Sequence, residues 1–201
     1  MIEKARYSEI APEIVATLGE APIDMIENYA RLVAQDFCTR TNVLTRETTV
    51  DVWEHIPDYE FSIDDGEQVV RILSVEKREP CGVQRTYTKL PIDDYEYKYP
   101  DTVVLHNTPA HNVKSGLRIR YSVAPTITSC EVDKRLFTEF SAAMISGTLS
   151  KMYQMTAMPW GGIQTAEFHR RIYDDEVNRA GLRRVMNYQA KQITIKPGRF
   201  V

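Results

Sequence analysis

Apolar positions recur every three to four residues at the two ends of the chain and every second residue in its middle, so helices flank a segment of strands. Between Ser8 and Leu18 the residues Ile10, Ile14, Val15 and Leu18 define a short helix, with Pro12 tolerable in its first turn and Gly19 as its stop. A second helix begins near Pro22. It carries Ile23, Ile26, Ala30, Val33 and Phe37 on one face, with Asp24, Glu27, Arg31 and Gln35 on the other, and ends around residues 40–42. After Thr45 the period drops to two and β-branched and aromatic residues take over, predicting strands over 48–53, 59–63, 69–75, 85–89, 103–105 and 117–123. Turn residues separate them at 64–66, 80–82, 91–94, 108–112 and 115–116.

Helical spacing returns at Asp133, an N-cap for a run through Leu136, Phe137, Phe140, Ala143, Met144, Ile145, Leu149, Met152 and Met155 that stops at Met158, Pro159 and Trp160. This helix is apolar around most of its circumference and has to be covered on more than one side. Ala143 and Gly147, four residues apart, let a second helix approach closely, at a helix-propensity cost of about 1 kcal/mol for the glycine. The last helix, from about 164 to 188, has a narrow stripe of Ala166, Tyr173, Val177 and Ala180, while Phe168 and Ile172 lie well round to another side, which implies two surfaces to touch. Past Gln189 the chain alternates Ile193 and Ile195, then runs Lys196, Pro197, Gly198, Arg199, Phe200, Val201 as a strand-like tail.

These elements predict an α+β fold, mainly a helical bundle of about four helices. The bundle takes residues 1–46 and 131–190, a small antiparallel β module of 47–130 is inserted between the second and third helices, and 191–201 form an extended C-terminal arm.

With 201 residues, 43% of them hydrophobic and 26% charged, the chain can build one ordinary core, which argues against intrinsic disorder. A net charge of −3 supplies no diffuse basic field, so contact with DNA should be loose. Cys38, Cys81 and Cys130 are odd in number and far apart, fitting neither a disulfide framework nor a zinc site and pointing to a reducing compartment. No run approaches the roughly 18 apolar residues of a membrane span, and the expected setting is the cytosol.

Candidate chemistry is sparse. The acidic pairs Asp64–Asp65 and Asp93–Asp94 and the run Asp174–Glu176 read as solvated turns or helix surface rather than as carboxylates facing each other across a cleft. His55, His106, His111 and His169 are scattered without a metal-binding motif. Ser146 precedes Gly147 without a nucleophile elbow, and Gly161–Gly162 read as a turn, since no strand precedes them and no Lys-Ser pair follows. Tyr95, Tyr97 and Tyr99 alternate like a stacking ladder for sugars or bases, and equally like a strand with one aromatic face on a core. No catalytic residue, metal or cofactor is expected.

Three blocks resemble the head-to-tail connector or adaptor proteins of tailed bacteriophages, the ring-forming neck proteins beneath the portal. The first is the helix ending Phe37, Cys38, Thr39, Arg40, Thr41, followed by Tyr59 and the strand Val69 to Val75. The second is Tyr121, Val123, Ala124, Pro125, Thr126. The third is Gly147, Thr148, Leu149, Met152, Tyr153, Pro159 and Trp160, followed by a long charged helix. The resemblance implies a structural virion protein, not an enzyme, assembled in the host cytoplasm and resident at the portal vertex. It implies a homo-oligomeric ring of about a dozen copies that docks on the portal and receives the tail or the next neck protein, with genomic DNA passing loosely through the lumen and no membrane. In that frame subunit packing covers what the monomer leaves open, with Ala143, Gly147, Trp160, Phe168, Ile172, Tyr173 and Val177 at helix or subunit contacts. Ile193, Ile195, Lys196, Arg199 and Phe200 are then the portal-binding arm. Two other readings remain open: a carbohydrate- or surface-binding β module using the tyrosine ladder, and a cell-wall hydrolase using Asp93 and Asp94.

Overall fold

The computed structural model describes residues 2–78 and 86–185. The predicted turn at 80–82, Cys81 and the whole C-terminal arm, including Ile193, Ile195, Lys196, Arg199 and Phe200, lie outside the described residues.

The first two helices form where the periodicity places them. After a 3-10 turn at Tyr7–Ile10, α1 (Ala11–Leu18) carries Pro12 in its first turn, where a missing N–H costs nothing, and ends at Gly19. Gly19 sits at φ +78 and donates its N–H to the carbonyl of Val15. The second helix, α2 (Ile23–Thr41), buries Ile26, Ala30, Val33, Ala34, Phe37 and Cys38 along one stripe and closes on Asn42 in the left-handed region.

The described residues mix helices with antiparallel sheets, and the expectation of a mainly helical bundle with a small β module is not confirmed. A two-stranded antiparallel ribbon joins β1 (Lys4–Arg6) to the last strand among the described residues, Glu131–Asp133. The principal sheet has four strands. Its spine is Val113–Pro125, flanked on one side by β2 (Thr45–Val52) and on the other by Glu67–Arg78, which in turn pairs with Tyr87–Lys89. A three-stranded sheet places Thr102–Leu105 between β3 (Asp58–Glu60) and Tyr95–Lys98. In chain order the remaining strands are β4 (Glu67–Arg78), β5 (Tyr87–Lys89), β6 (Tyr95–Lys98), β7 (Thr102–Leu105), β8 (Val113–Pro125) and β9 (Glu131–Asp133).

Ser115 and Gly116, expected to reverse the chain, instead form a bulge inside β8. The register slips there, with Val50 opposite Leu117 but Val52 opposite Val113. The Asp51 carboxylate accepts the Ser115 N–H at 2.6 Å, and a Cβ on Gly116 would fall 2.6 Å from Val52 Cγ2, so only glycine fits.

The helix expected from Asp133 onward is also interrupted. Asp133 ends β9, and its carboxylate accepts the N–H of Arg135 at the start of the single turn α3 (Arg135–Thr138). Phe140 then leaves helical geometry (φ −125, ψ 26) so that its ring packs on Phe37 at 5.1 Å, and α4 (Ser141–Tyr153) begins beyond it. The final helix, α5 (Ile163–Val185), follows a turn at 154–162. Gly162 donates back to the Tyr153 carbonyl there, and a Cβ on Gly161 would meet the Met155 carbonyl at 2.5 Å.

One continuous hydrophobic core joins the helices to the principal sheet, from Ile14, Ile26 and Phe37 through Leu136, Met144 and Met152 to Leu117, Ile119 and Val123. Where the sheet meets the bundle, Arg46 of β2 lies between Glu67 of β4 (2.5 Å) and Asp133 of β9 (3.1 Å), all three nearly buried. Burial works against the guanidinium charge, and the two carboxylates outweigh it and raise its pKa.

Candidate functional site

The apolar helix α4 finds its cover within its own chain. Ala143, Met144, Gly147, Thr148, Leu149 and Met152 are all buried, packed by α2, α5 and α1. Of the two covers the sequence leaves open for this helix, its own chain or a neighbouring subunit, α2 and α5 of its own chain close over it from two sides. The glycine is what lets them in, since a Cβ at Gly147 would lie 2.5 Å from Val33 Cγ1 of α2 and 2.9 Å from Tyr173 Cδ2 of α5.

Above this contact, α2, α4 and α5 leave a groove of about 1040 Å³ floored by Val33, Gly147 and Tyr173. Its walls are built rigidly. The Tyr173 hydroxyl donates to Asp36 at 2.6 Å, and Arg40 pairs with Asp174 at 2.9 Å while its guanidinium lies 5.7 Å from the centre of the Tyr173 ring. Burial raises the Tyr173 pKa, and the bond to Asp36 adds to it, so this phenol stays a donor. Lys151 and Arg170 stand exposed at the rim beside Leu32, which is 40% exposed.

The two edges expected of the last helix separate cleanly. Ala166, Tyr173, Val177 and Ala180 are buried against the bundle, whereas Phe168 remains 60% exposed, Ile172 is half-buried, and Ile163 and Leu182 are exposed as well. Trp160 is half-buried against the core, and its indole nitrogen has no hydrogen-bond partner among the described residues. His169 stacks on Tyr153 with ring centres 5.5 Å apart, and burial lowers its pKa.

Other candidates disperse. Tyr95 and Tyr97 pack against the core, and the Tyr97 hydroxyl donates to the Pro100 carbonyl, leaving only Tyr99 of the ladder fully in solvent. Asp93 is exposed and Asp94 half-buried in a 3-10 turn over 92–94. The ring nitrogen Nδ1 of His106 lies 2.7 Å from the Asp93 carbonyl. Among the described residues no cluster of three or more His, Cys, Asp or Glu could hold a metal ion, and no helix is long and apolar enough to cross a membrane.

One surface feature escaped the sequence reading. The loop after β2 holds Trp53 (53% exposed) and Ile56 (45% exposed) in a fixed frame. The Tyr59 hydroxyl donates to both the Trp53 and the Ile56 carbonyl, His55 donates to the Pro109 carbonyl, and Asn112 Oδ1 accepts the Glu54 N–H. In the sequence Trp53 reads as the end of a strand, and the one signal against that is spacing: Trp53 and Ile56 sit three apart in a segment that has lost its alternation.

No protein-family model matches the chain, and no curated protein matches it. Among solved structures, it is similar to a chain in the neck of an empty GTA particle computed with C6 symmetry, at 14% identity over 84% of this chain and 94% of that one, with a TM-score of 0.31. It is also similar to a chain in the neck of a native GTA particle computed with C12 symmetry, at 16% identity over 84% and 94%, with a TM-score of 0.30. With superposition that loose, the functional reading rests on the chain's own residues.

Proposed function

We propose that this chain is a structural protein of a phage-type virion neck, a head-to-tail adaptor whose copies form a ring between the portal and the tail or the next neck component. The observation that carries the reading is the outer edge of α5. Among the described residues the chain buries the inner stripe of that helix in its own bundle and leaves Phe168 and Leu182 exposed on the opposite side, where a partner would take them from water. The order of helices around the sheets and the three sequence blocks support the neck reading. On this reading the protein has no catalytic role and no cofactor, assembles in the host cytoplasm, and resides at the portal vertex. Its net charge of −3 keeps genomic DNA from sticking in a lumen the ring would form. The terminal segment with Ile193, Ile195, Lys196, Arg199 and Phe200 is the portal-binding arm.

Electron micrographs of the purified chain mixed with purified portal test this reading. Rings seated on the portal are expected, and a strict monomer beside free portal overturns it. Deleting 199–201 should leave melting unchanged and weaken portal attachment, because a terminal segment contributes little to a core. Equal portal binding by the truncated chain would remove the arm from the account.

A further inference from the structure

From the loop and the groove we infer the contact that closes the ring: the Trp53–Ile56 loop of one copy seats in the α2–α4–α5 groove of the next. This inference rests on the ring reading and names its interface.

Three observations converge. The loop is a preformed apolar knob. A tryptophan and an isoleucine about half in water would ordinarily turn inward, but the hydrogen bonds from Tyr59, His55 and Glu54 hold the backbone so that both face out. Little ordering entropy remains to be lost when such a loop binds. The groove is a preformed acceptor: its volume of about 1040 Å³ is ample for an indole and a branched side chain, and Leu32, Tyr29 and Val33 give it an apolar strip between polar walls that include Asp36, Lys151 and Asp174. An aromatic anchor in a rigid pocket is the arrangement that concentrates binding energy at protein interfaces.

The charges also match. The loop lies among Asp51, Glu54, Asp58 and Glu60, with His55 paired to Glu54 at 3.2 Å. At the groove, Arg40 engages Asp36 and Asp174 and Arg170 lies 3.8 Å from Asp174, so Lys151, exposed at the rim, is the cation left to meet an incoming acidic loop.

The occupant we assign is a second copy, because the chain's own loop, fixed beyond the end of β2 (Thr45–Val52), contributes no residue to the lining of its own groove. A knob at one end and a socket at the other make a heterologous contact, which closes into a ring when the rotation per subunit divides a full turn.

The test uses two surface variants of the full chain, Trp53→Ser, which removes the knob, and Leu32→Glu, which places a carboxylate in the socket; Lys151→Glu substitutes for the latter if its melting temperature drops. Each variant alone should run as a monomer with wild-type circular dichroism. Mixed in equal amounts they should form a 1:1 dimer, because one intact knob and one intact socket remain. Wild-type rings that persist in either variant, or a mixture that stays monomeric, overturn the contact; rings persisting in both leave the ring reading standing. A wild-type chain that never associates, even with purified portal added, overturns both.

Discussion

Helix α4 and the loop at 53–57 both carry apolar side chains and differ in what covers them. The helix is covered by its own neighbours, with Gly147 drawing Val33 and Tyr173 against its backbone. The loop holds Trp53 and Ile56 out in water by hydrogen bonds. Apolar content therefore marks what must be covered. Exposure on a rigid frame marks what is left for a partner.

The sharpest way to break this contrast is to attack the interior where sheet meets bundle. Arg46→Met strands Glu67 and Asp133 as buried, unpaired carboxylates and should cost about 3–5 kcal/mol, read as a fall in the urea midpoint. That loss should not depend on protein concentration, because the interior belongs to the monomer; a concentration-dependent loss would place the triad at a subunit contact. Gly147→Leu comes next. Overpacking against Val33 and Tyr173 should cost about 1–3 kcal/mol, and unchanged melting would show that the close approach does not exist.

Smaller effects on stability probe the exposed side. Phe168→Ser should move stability by no more than about 0.5 kcal/mol, as surface changes do, while weakening association measured by sedimentation. Association equal to wild type would strip the outer edge of α5 of its role. The smallest expected effect is on pH dependence. Burial holds the His169 pKa below the usual value of about 6.5, so the unfolded chain takes up this proton first. Its contribution is complete above that value and is lost as pH falls below it. The melting temperature of His169→Phe should thus decline less than that of wild type between neutral pH and pH 5, and parallel declines would refute the assignment.

Much of this was legible in the periodicity. The buried face of α2 follows its three-to-four spacing, Gly19 and Asn42 stop α1 and α2 near the expected positions, and most strands of the principal sheet fall where alternation begins. What periodicity could not convey is partnership between distant segments. Three residues at Lys4–Arg6 are too few to show a period, and their strand exists because Glu131–Asp133 is there to pair with it. Ser115–Gly116 carries turn chemistry, but whether such residues reverse a chain or bulge a strand is decided by Val52 and Asp51 across the ladder. Phe140 breaks a helical run because Phe37 offers its ring a better contact. The cover of α4 was undecidable for the same reason, since Gly147 announces a close neighbour without saying whose. Trp53 was hidden because a strand end and an exposed knob share one local pattern until Tyr59 fixes the backbone.

The most direct measurement is the mass of the intact wild-type chain in solution, by native mass spectrometry across a range of concentrations and with purified portal added. The account predicts one closed species whose mass is a whole multiple of the 23.1 kDa protomer. A protomer that stays single at every concentration, portal present or absent, would contradict it.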